Sequence, residues 1–214
     1  MTNTFFTSDH HFNHKNILTF KDYDGCPVRE FRDVDHMHEV MIESHNSVVK
    51  PHDRVYFLGD VSINEKGLSF VKQMNGKKVL IKGNHDIFKI SSYLDVFEDV
   101  RSFKVYPQQG LICSHIPLHP GQFQKGSRWK GNIHGHLHAN LVRLPLLSYE
   151  HEAVVQKGGD TLLPDNIVYH HTSPVDTRYL NVSVEQINYT PIDFDEVLAY
   201  FNIDKNVNQY RKDY

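Results

Sequence analysis

The stretch KKVLIKGNHDIF, residues 77–88, contains the feature that decides the fold. Its apolar run Val79–Ile81 stops abruptly at a turn signal, which is typical of a buried strand. The Gly-Asn pair at 83–84 predicts a sharp turn at the end of that strand. A turn needs no more than this pair, yet the chain next places His85 and Asp86 side by side. An amide, an imidazole and a carboxylate at one strand end indicate a chemical role.

The elements before this stretch alternate between strand and helix. Apolar residues at helical spacing predict the two helices, the first with Asp33 or Asp35 as its N-cap and the second with Gly76 as its stop. Strand, helix, strand, helix, strand is the order of βαβ units and of a largely parallel sheet. The predicted strands are 4–7, 54–58 and 79–81, and the predicted helices are 35–49 and 64–75.

The second half of the chain follows a different pattern. Asp193 with Glu196 forms a capping-box-like start for a last helix. Residues 139–178 hold Gly158-Gly159 and three prolines without periodicity, so we predict an insertion within a single domain spanning 1–214. Loops of this length are usually functional or disordered, and the insertion would act as a lid if it folds over the site. The other predicted elements are a short helix at 91–97, a hairpin of 101–106 and 111–115, a segment from Ile133, and strands in 179–190.

Composition excludes several classes of protein. The chain has 214 residues, of which 39% are hydrophobic, so a packed core is expected. Its 23 basic and 26 acidic residues give a net charge of −3, which argues against a partner held by bulk charge, such as nucleic acid. We find no signal peptide and no apolar run long enough for a membrane helix. Cys26 and Cys113 could pair, but reduced thiols in a cytoplasmic protein are the preferred interpretation.

Metal-type ligands occur at five predicted strand ends or in the loops that follow them. In open α/β sheets, ligands bind outside the carboxyl ends of the strands, so these residues are expected to converge. Side chains two apart on an extended segment point the same way, which predicts that His136 and His138 reach one ion, as do Asp9 and His11. The five places are Asp9-x-His11, Gly59-Asp60, Gly83-Asn84-His85-Asp86, His115 and Gly135-His136-x-His138.

The number of these ligands indicates more than one metal ion. Alone, a motif such as Asp-x-His or Gly-Asp is more often turn chemistry than a metal site. Together they offer more donors than the three or four of a single zinc site. They suit two ions about 3.5–4 Å apart that share a carboxylate. Mixed oxygen and nitrogen ligands favour manganese, iron, zinc, nickel or cobalt over calcium or magnesium, and we expect two divalent ions with manganese as the first choice.

The ordered set of motifs resembles that of the calcineurin-like metallophosphoesterases, and the match runs from Asp9 to His138. The resemblance implies an α/β fold, a four-layer αββα sandwich of two mixed β-sheets flanked by helices. It also implies a role for each matching residue. Asp9, His11 and His138 would bind the first ion, and Asn84, His115 and His136 the second. Asp60 would bridge the two ions, and His85 would be the catalytic histidine.

Longer segments resemble a bacterial and phage branch of small predicted phosphoesterases. Arg29 and Asn46 match that branch, and a structural role is open for both. His14 or Lys15 would touch substrate phosphate, with a surface position as the alternative. The matching segments are SDHHFNHKNI at 8–17, VREF at 28–31, HNSVVKPHDRVYFLGD at 45–60 and RYLNVSVEQINYTPI at 178–192.

The resemblance implies hydrolysis of phosphodiester or phosphomonoester bonds by a metal-bridging hydroxide. His85 is the candidate general acid for the leaving oxygen. Asp86 either orients His85 or caps the next helix, and both roles stay open. Lys82 stands where protein phosphatases have arginine, and Val61–Asn64 lack their second acidic residue. We therefore expect a small phosphoester substrate of nucleotide-like type.

Two alternatives use the same residues. A metal-dependent nuclease would need a basic track, and the chain offers one small patch around Lys125, Arg128, Trp129 and Lys130. A solvated loop is the simpler interpretation of that patch. A non-catalytic metal-binding module would show losses at the ligand or acid positions, but every position is filled.

Overall fold

The fold is that of a computed structural model, in which residues 2–22, 24–144 and 173–205 are described. The chain divides into two compact units, one of Met1–Asn140 with Thr177–Tyr214 and one of Leu141–Asp176. In the second unit, Arg143 and Val175 pair as an antiparallel bridge. The predicted insertion at 139–178 overlaps this unit. Its residues 145–172, and with them the question of a lid, lie outside the described residues.

The described residues form strands and helices in the alternating order that the sequence predicts. None of these helices has the length and apolar character needed to cross a membrane. The strands are β1 (Thr4–Thr7), β2 (Arg54–Phe57), β3 (Lys77–Ile81), β4 (Asp99–Arg101), β5 (Lys104–Tyr106), β6 (Leu111–Cys113), β7 (Gly131–His134), β8 (Tyr179–Asn181) and β9 (Ile192–Asp193). The α-helices are α1 (Val34–Val48), α2 (Leu68–Lys72), α3 (Ile90–Leu94) and α4 (Phe194–Tyr200), and 3₁₀ turns lie at Lys15–Thr19, Glu65–Gly67 and Pro120–Phe123.

The strands form two mixed sheets. The first sheet has the order β4-β3-β2-β1-β9, in which β1 to β4 run parallel and β9 runs antiparallel to β1. The second has the order β5-β6-β7-β8, in which β5 is the antiparallel edge strand. The parallel sheet that the sequence predicts for β1, β2 and β3 is confirmed. In both sheets the parallel strands end on the same edge, and that edge carries the candidate ligands.

Alternating side chains of the first sheet enter two separate cores. Successive residues of a strand point to opposite faces, so Phe5 and Phe6 serve different cores. The Phe5 face packs on α1, α2 and α3, and the Phe6 face packs on the second sheet and α4. The structure is therefore two sheets face to face with helices against them. The first core includes Phe5, Phe57, Leu80, Met37, Val71 and Tyr93, and the second includes Phe6, Tyr56, Ile81, Leu111, Ile133 and Val197.

Helix starts follow the predicted capping chemistry. The Asp33 side chain accepts a hydrogen bond from the backbone N–H of His36, so Asp33 and not Asp35 is the N-cap of α1. The capping box of Asp193 and Glu196 at the start of α4 is confirmed. These local hydrogen bonds fix where each helix begins.

Two sequence expectations are wrong in detail. The helix expected over 64–75 is a 3₁₀ turn, capped by the Asn64 side chain, followed by α2, which ends at Lys72. The alternating stretch 179–190 is a strand only in β8. Asn188 and Tyr189 have φ values of 47° and 59°, a left-handed conformation that ends extended pairing. Val182 and Val184 are buried although they lie in a loop, and this burial accounts for the alternation of apolar and polar residues in the sequence.

Candidate metal centre

Backbone hydrogen bonds join the strand ends of both sheets at one place. Asp9 N donates to Gly59 O at 3.0 Å, and His11 N donates to Asp60 O at 3.0 Å. In the second sheet, Gly135 N donates to His115 O at 3.0 Å. The sheets are linked there by a bridge between Ser8 and Ser183. The predicted convergence of the strand ends therefore occurs.

Glycine is required at two of these strand ends because the chains approach closely. Gly59 has φ +99°, and a Cβ there would overlap the His115 ring and the backbone of Gly83. A Cβ on Gly135 would overlap the side chains of Ser8 and Asp9. The glycines that precede Asp60 and His136 in the sequence are thus explained by packing at the site itself.

The first cluster consists of Asp9, His11 and His138, whose ligand atoms lie within 4.8 Å of one another. Asp9 Oδ1 is 3.9 Å from both His11 Nε2 and His138 Nε2. The other carboxylate oxygen, Oδ2, accepts from His136 N and from Ser183 Oγ. Among the described residues, Asp9 Oδ1 and His11 Nε2 are buried without a hydrogen-bond partner. Buried polar atoms are normally paired, so this pair of atoms fits a cation between them.

The second cluster consists of Asp60, His115 and His136, also within 4.8 Å of one another. His115 Nδ1 donates to Leu58 O at 2.7 Å. Because a carbonyl only accepts, Nδ1 carries the proton and Nε2 faces the site. Nε2 lies 3.3 Å from Asp60 Oδ2 and 2.9 Å from Asn84 Oδ1. The predicted ligand Asn84 therefore lies against the second cluster.

Asp60 belongs to the second cluster and also approaches the first. Its Oδ2 is 3.7 Å from His11 Nε2 of the first cluster and 3.3 Å from His115 Nε2 of the second. Its Oδ1 accepts from the backbone N–H of His85 at 2.8 Å, which fixes the carboxylate plane. The structure therefore brings one carboxylate oxygen within reach of both groups of histidines.

Burial and charge set the protonation states of these side chains in the metal-free protein. Burial lowers the pKa of His11 to about 2 and also lowers that of His136, so both rings are neutral with a free lone pair at pH 7. Burial raises the pKa of Asp60, but the hydrogen bond and charge of His115 outweigh it and bring the value to about 2. Burial lowers the pKa of His115, but Asp60 and Asp9 raise it to about 9. In the metal-free protein, His115 is the cation that balances Asp60.

The local backbone differs from the extended segments that the sequence analysis assumed. Left-handed φ values between 50° and 70° occur at five of the candidate ligands, which are Asp9, His11, Asp60, His136 and His138. Non-glycine residues rarely adopt this conformation, and such strain concentrates at functional sites. On this backbone, His136 and His138 join different clusters although they are two residues apart. The expectation that they reach one ion is wrong: His138 joins the first cluster and His136 the second.

Asp86 has neither of the two roles expected from the sequence. Its Oδ2 accepts from the backbone N–H of Asp60 and of Gly83, both at 2.8 Å, and its Oδ1 accepts from Val61 N at 3.2 Å. The next helix, α3, has Lys89 at its N-cap with no side-chain cap. Asp86 is thus a buried brace that holds the turn after β2 against the turn after β3. The partners of its carboxylate are three backbone amides and not the His85 ring.

Of the other histidines near the first motif, one is structural and two lie beside the cluster. The His10 ring is buried between Phe12 and Phe57, and burial lowers its pKa well below the usual value. The His85 ring is exposed, with its centroid 5.4 Å from that of His11. The His14 ring lies at 5.5 Å from His11 and is half-buried. His85 and His14 therefore flank the first cluster on its open side.

A cleft of about 620 Å³ opens beside the two clusters. Small-molecule sites typically have volumes of about 300–1,000 Å³, so the cleft is large enough for a small ligand. Its lining includes an aromatic ring, a lysine and one histidine of each cluster. The lining residues are Thr19, Phe20, Lys21 and Val28 from the segment after the first motif and His136, Leu137, His138 and Asn140 from the last motif.

Comparisons with known proteins give relatives without an assigned role. No protein-family model matches the chain. The uncharacterized protein MJ1445 of Methanocaldococcus jannaschii is 28% identical over 204 residues, which covers 92% of this chain and 90% of that protein. The gene 66 protein of Mycobacterium phage L5 is 29% identical over 174 residues, 66% of this chain and 80% of the phage protein. The crystal structure of AQ665, a protein of unknown function from Aquifex aeolicus, matches with a TM-score of 0.57 and 23% identity over 92% of this chain and 98% of its own. The fold is thus shared with AQ665, and function has to be argued from the site.

Sequence reasoning missed several residues that contact the site. Ser183 and Glu185 lie in the stretch 179–190, whose alternation predicts strands, and Phe20 and Lys21 follow the first motif without any pattern of their own. One signal was available for Glu185 and Arg29. Both belong to segments, 178–192 and 28–31, whose resemblance to small predicted phosphoesterases is an expectation from the sequence alone.

Proposed function

We propose that this protein is a calcineurin-like metallophosphoesterase that hydrolyses small phosphoesters with two divalent metal ions. The observation that carries the proposal is the position of Asp60 Oδ2, 3.7 Å from His11 and 3.3 Å from His115. A carboxylate shared between two nitrogen-rich clusters is the arrangement that a dinuclear site needs. We propose the corresponding four-layer αββα sandwich as the finer description of the two-sheet fold.

The donors fit two ions of the manganese, iron or zinc type. Each cluster offers carboxylate oxygen together with imidazole nitrogen, which these metals accept. Asp9 and His11 hold unpartnered buried atoms toward the first position, and Asn84 supplies an amide oxygen beside the second. When bound, the two ions would neutralise phosphate oxygens and activate water for attack on phosphorus. We propose manganese as the first metal to test.

His85 is the group of this chain that would protonate the leaving oxygen. Its backbone N–H is tied to Asp60 Oδ1 at 2.8 Å, so the residue is fixed to the bridging carboxylate. Its ring is exposed and faces the His11 ring edge to face at 5.4 Å. A histidine that is anchored at the backbone and open at the ring can reach a substrate oxygen without leaving the site.

The cleft supports a nucleotide-like substrate. Phe20 is 46% exposed and lines the same cleft as His136 and His138, so its ring is open for a base to stack on. Base stacking on an aromatic ring contributes about 1–3 kcal/mol. With phosphate at His136 and His138, a base would lie against Phe20, and Lys21 would approach a second anionic group. This lining supports small nucleotides over phosphoproteins as the proposed substrates.

A hydrolysis screen with manganese-loaded protein tests the substrate class. It compares an alkyl phosphate, nucleoside monophosphates, cyclic and linear dinucleotides, and single-stranded DNA and RNA. We expect small nucleotides to be hydrolysed fastest. Phe20→Ala should raise their KM by roughly 5- to 150-fold, since stacking is worth about 1–3 kcal/mol, and should leave the alkyl phosphate unaffected.

The exposed Phe103, which lies between β4 and β5, provides the matched control, and Phe103→Ala should change no KM. Hydrolysis of none of these compounds by protein shown to contain metal would contradict the proposal. Cleavage of DNA or RNA strands alone would favour the nuclease.

His85→Ala should leave both ions bound and slow the reaction selectively. General acid catalysis contributes typically about 10²–10⁴-fold, so we expect a loss of this size in kcat for alkyl leaving groups. A 4-nitrophenyl ester needs no proton on its leaving oxygen and should be hydrolysed at nearly the wild-type rate. His52→Ala, at an exposed ring, is the control. Equal losses for both kinds of ester would remove His85 from the proposed role.

A further inference from the structure

A buried arginine and a buried glutamate meet behind the first cluster. Arg29 Nε donates to Glu185 Oε1 at 2.7 Å, and the two side chains are 0% and 5% exposed. The residues are 156 positions apart in the sequence. A fully buried ion pair is costly to desolvate, so its position calls for a reason beyond stability.

The remaining nitrogens of Arg29 are directed at the backbone of the first motif. Nη1 donates to His10 O at 2.8 Å, and Nη2 donates to Asp9 O. The planar guanidinium fixes these partners relative to one another, which a lysine could not do. Asp9 has a left-handed φ of 59°, and the carbonyls that Arg29 holds are those that define this strained turn. Arg29 therefore secures the conformation that aims Asp9 Oδ1 into the first cluster.

Glu185 extends the same network to a second ligand. The oxygen that accepts from Arg29, Oε1, also accepts from His138 Nδ1 at 2.9 Å. With the ring proton on Nδ1, Nε2 keeps its lone pair and lies 3.9 Å from Asp9 Oδ1. Histidine ligands usually donate their second N–H to a carboxylate, and this partner sets the tautomer and ring orientation. One ion pair thus positions two of the three residues of the first cluster.

The second cluster is held by different residues. His115 is oriented by the Leu58 carbonyl, and the Asp60 turn is braced by Asp86. The described contacts of Arg29 and Glu185 include none to Asp60, His115 or His136. The clusters are in contact through Asp60 and through the hydrogen bond from His136 N to Asp9 Oδ2, but the side chains that orient their other ligands are different.

We propose that Arg29 and Glu185 are a positioning pair for the first cluster only, so that one metal position can be weakened while the other is kept. The inference rests on the proposed function to the extent that the clusters hold metal ions, and it does not depend on hydrolysis. Arg29 and Glu185 are not themselves among the candidate ligands. They act through Asp9 and His138.

Titration with Mn²⁺ alone, in backgrounds that each retain one cluster, tests the proposal. In His136→Ala protein the intact cluster is the first, and Glu185→Gln should lower its Mn²⁺ affinity by roughly 10- to 100-fold. In His138→Ala protein the intact cluster is the second, and Glu185→Gln should leave its affinity unchanged. Glu30→Gln, the same change at an exposed neighbour of Arg29, should have no effect in either background. Arg29→Lys keeps the charge but loses the planar guanidinium with its several donors. If Glu185→Gln fails to fold, Arg29→Lys should show the same selective loss of Mn²⁺ affinity at the first cluster.

Three outcomes would overturn the proposal. They are unchanged affinity of the first cluster, equal weakening of both clusters with a lower melting temperature of the metal-free protein, and no Mn²⁺ binding by the wild type. Only the last also removes the proposed function. Two bound ions without hydrolysis of any phosphoester would instead contradict the proposed function and leave this inference intact.

Discussion

Asp60→Asn protein will lose metal from both clusters and will have almost no phosphoesterase activity. Asparagine keeps one oxygen to accept from His85 N, but its amide nitrogen takes the place of an oxygen that both His11 and His115 approach. An N–H group cannot ligate a cation, so the shared ligand disappears. We expect the rate to fall by at least about 10³-fold, which corresponds to about 4 kcal/mol of transition-state stabilisation. Metal content by mass spectrometry and kcat/KM on the best substrate measure the effect.

The control for this variant is Asp53→Asn. Asp53 is as buried as Asp60 and also accepts from backbone amides, of Asn3 and Lys50, but it precedes β2 whereas Asp60 follows it. The same chemical change at the other end of the strand should cost stability without affecting metal content. Full occupancy of both positions in Asp60→Asn protein would refute the bridging role.

The positions of the candidate ligands could be predicted because the relevant signal is local. An apolar run followed by Gly-Asp or Gly-Asn-His-Asp marks a strand and the residues just beyond its end. Parallel strands then place those ends at one edge. That reasoning brings Asp9, Asp60, His115 and Gly135 together without a structure, and the sheets place them there.

The division of ligands between the clusters could not be derived from spacing. It depends on how the whole turn is held, with left-handed backbone at His136 and His138 and with His136 N bonded to Asp9, and nothing in the two histidine side chains requires it. If the backbone were extended, the residue spacing would assign the His136 and His138 rings to one ion. The family resemblance instead assigns them to different ions, and the structure also has them in different clusters. Strain of this kind is imposed by the surrounding hydrogen bonds, which join residues far apart in the sequence.

Asp86 shows the same limit. Its neighbours in the sequence suggest a partner for His85 or a helix cap, and both are local interpretations. The actual donors include Asp60 and Val61, which are 26 and 25 positions away. A side chain that braces two turns against each other can be recognised only when both turns are in place.

Arg29→Met should be the most destabilising of the substitutions considered. It leaves Glu185 as a buried carboxylate without its cation and removes the donors to the Asp9 and His10 carbonyls. Breaking a buried pair by removing one partner typically costs about 3–5 kcal/mol. For a chain of this size we expect the melting temperature to fall by roughly 6–20 °C. Chemical denaturation of the metal-free protein measures the loss, and Arg32→Met, at an exposed pair with Asp33, should change it by no more than about 1 kcal/mol.

The double variant Arg29→Met/Glu185→Leu separates support of the fold from support of the site. Removing both charges abolishes the uncompensated carboxylate, so much of the stability lost in Arg29→Met should return. Mn²⁺ affinity of the first cluster should stay low, because His138 Nδ1 and the Asp9 carbonyl still lack their partners. If stability and metal affinity recover together, the pair serves only the fold. Recovery of stability alone means that the buried charges at 29 and 185 are retained for the geometry of Asp9 and His138.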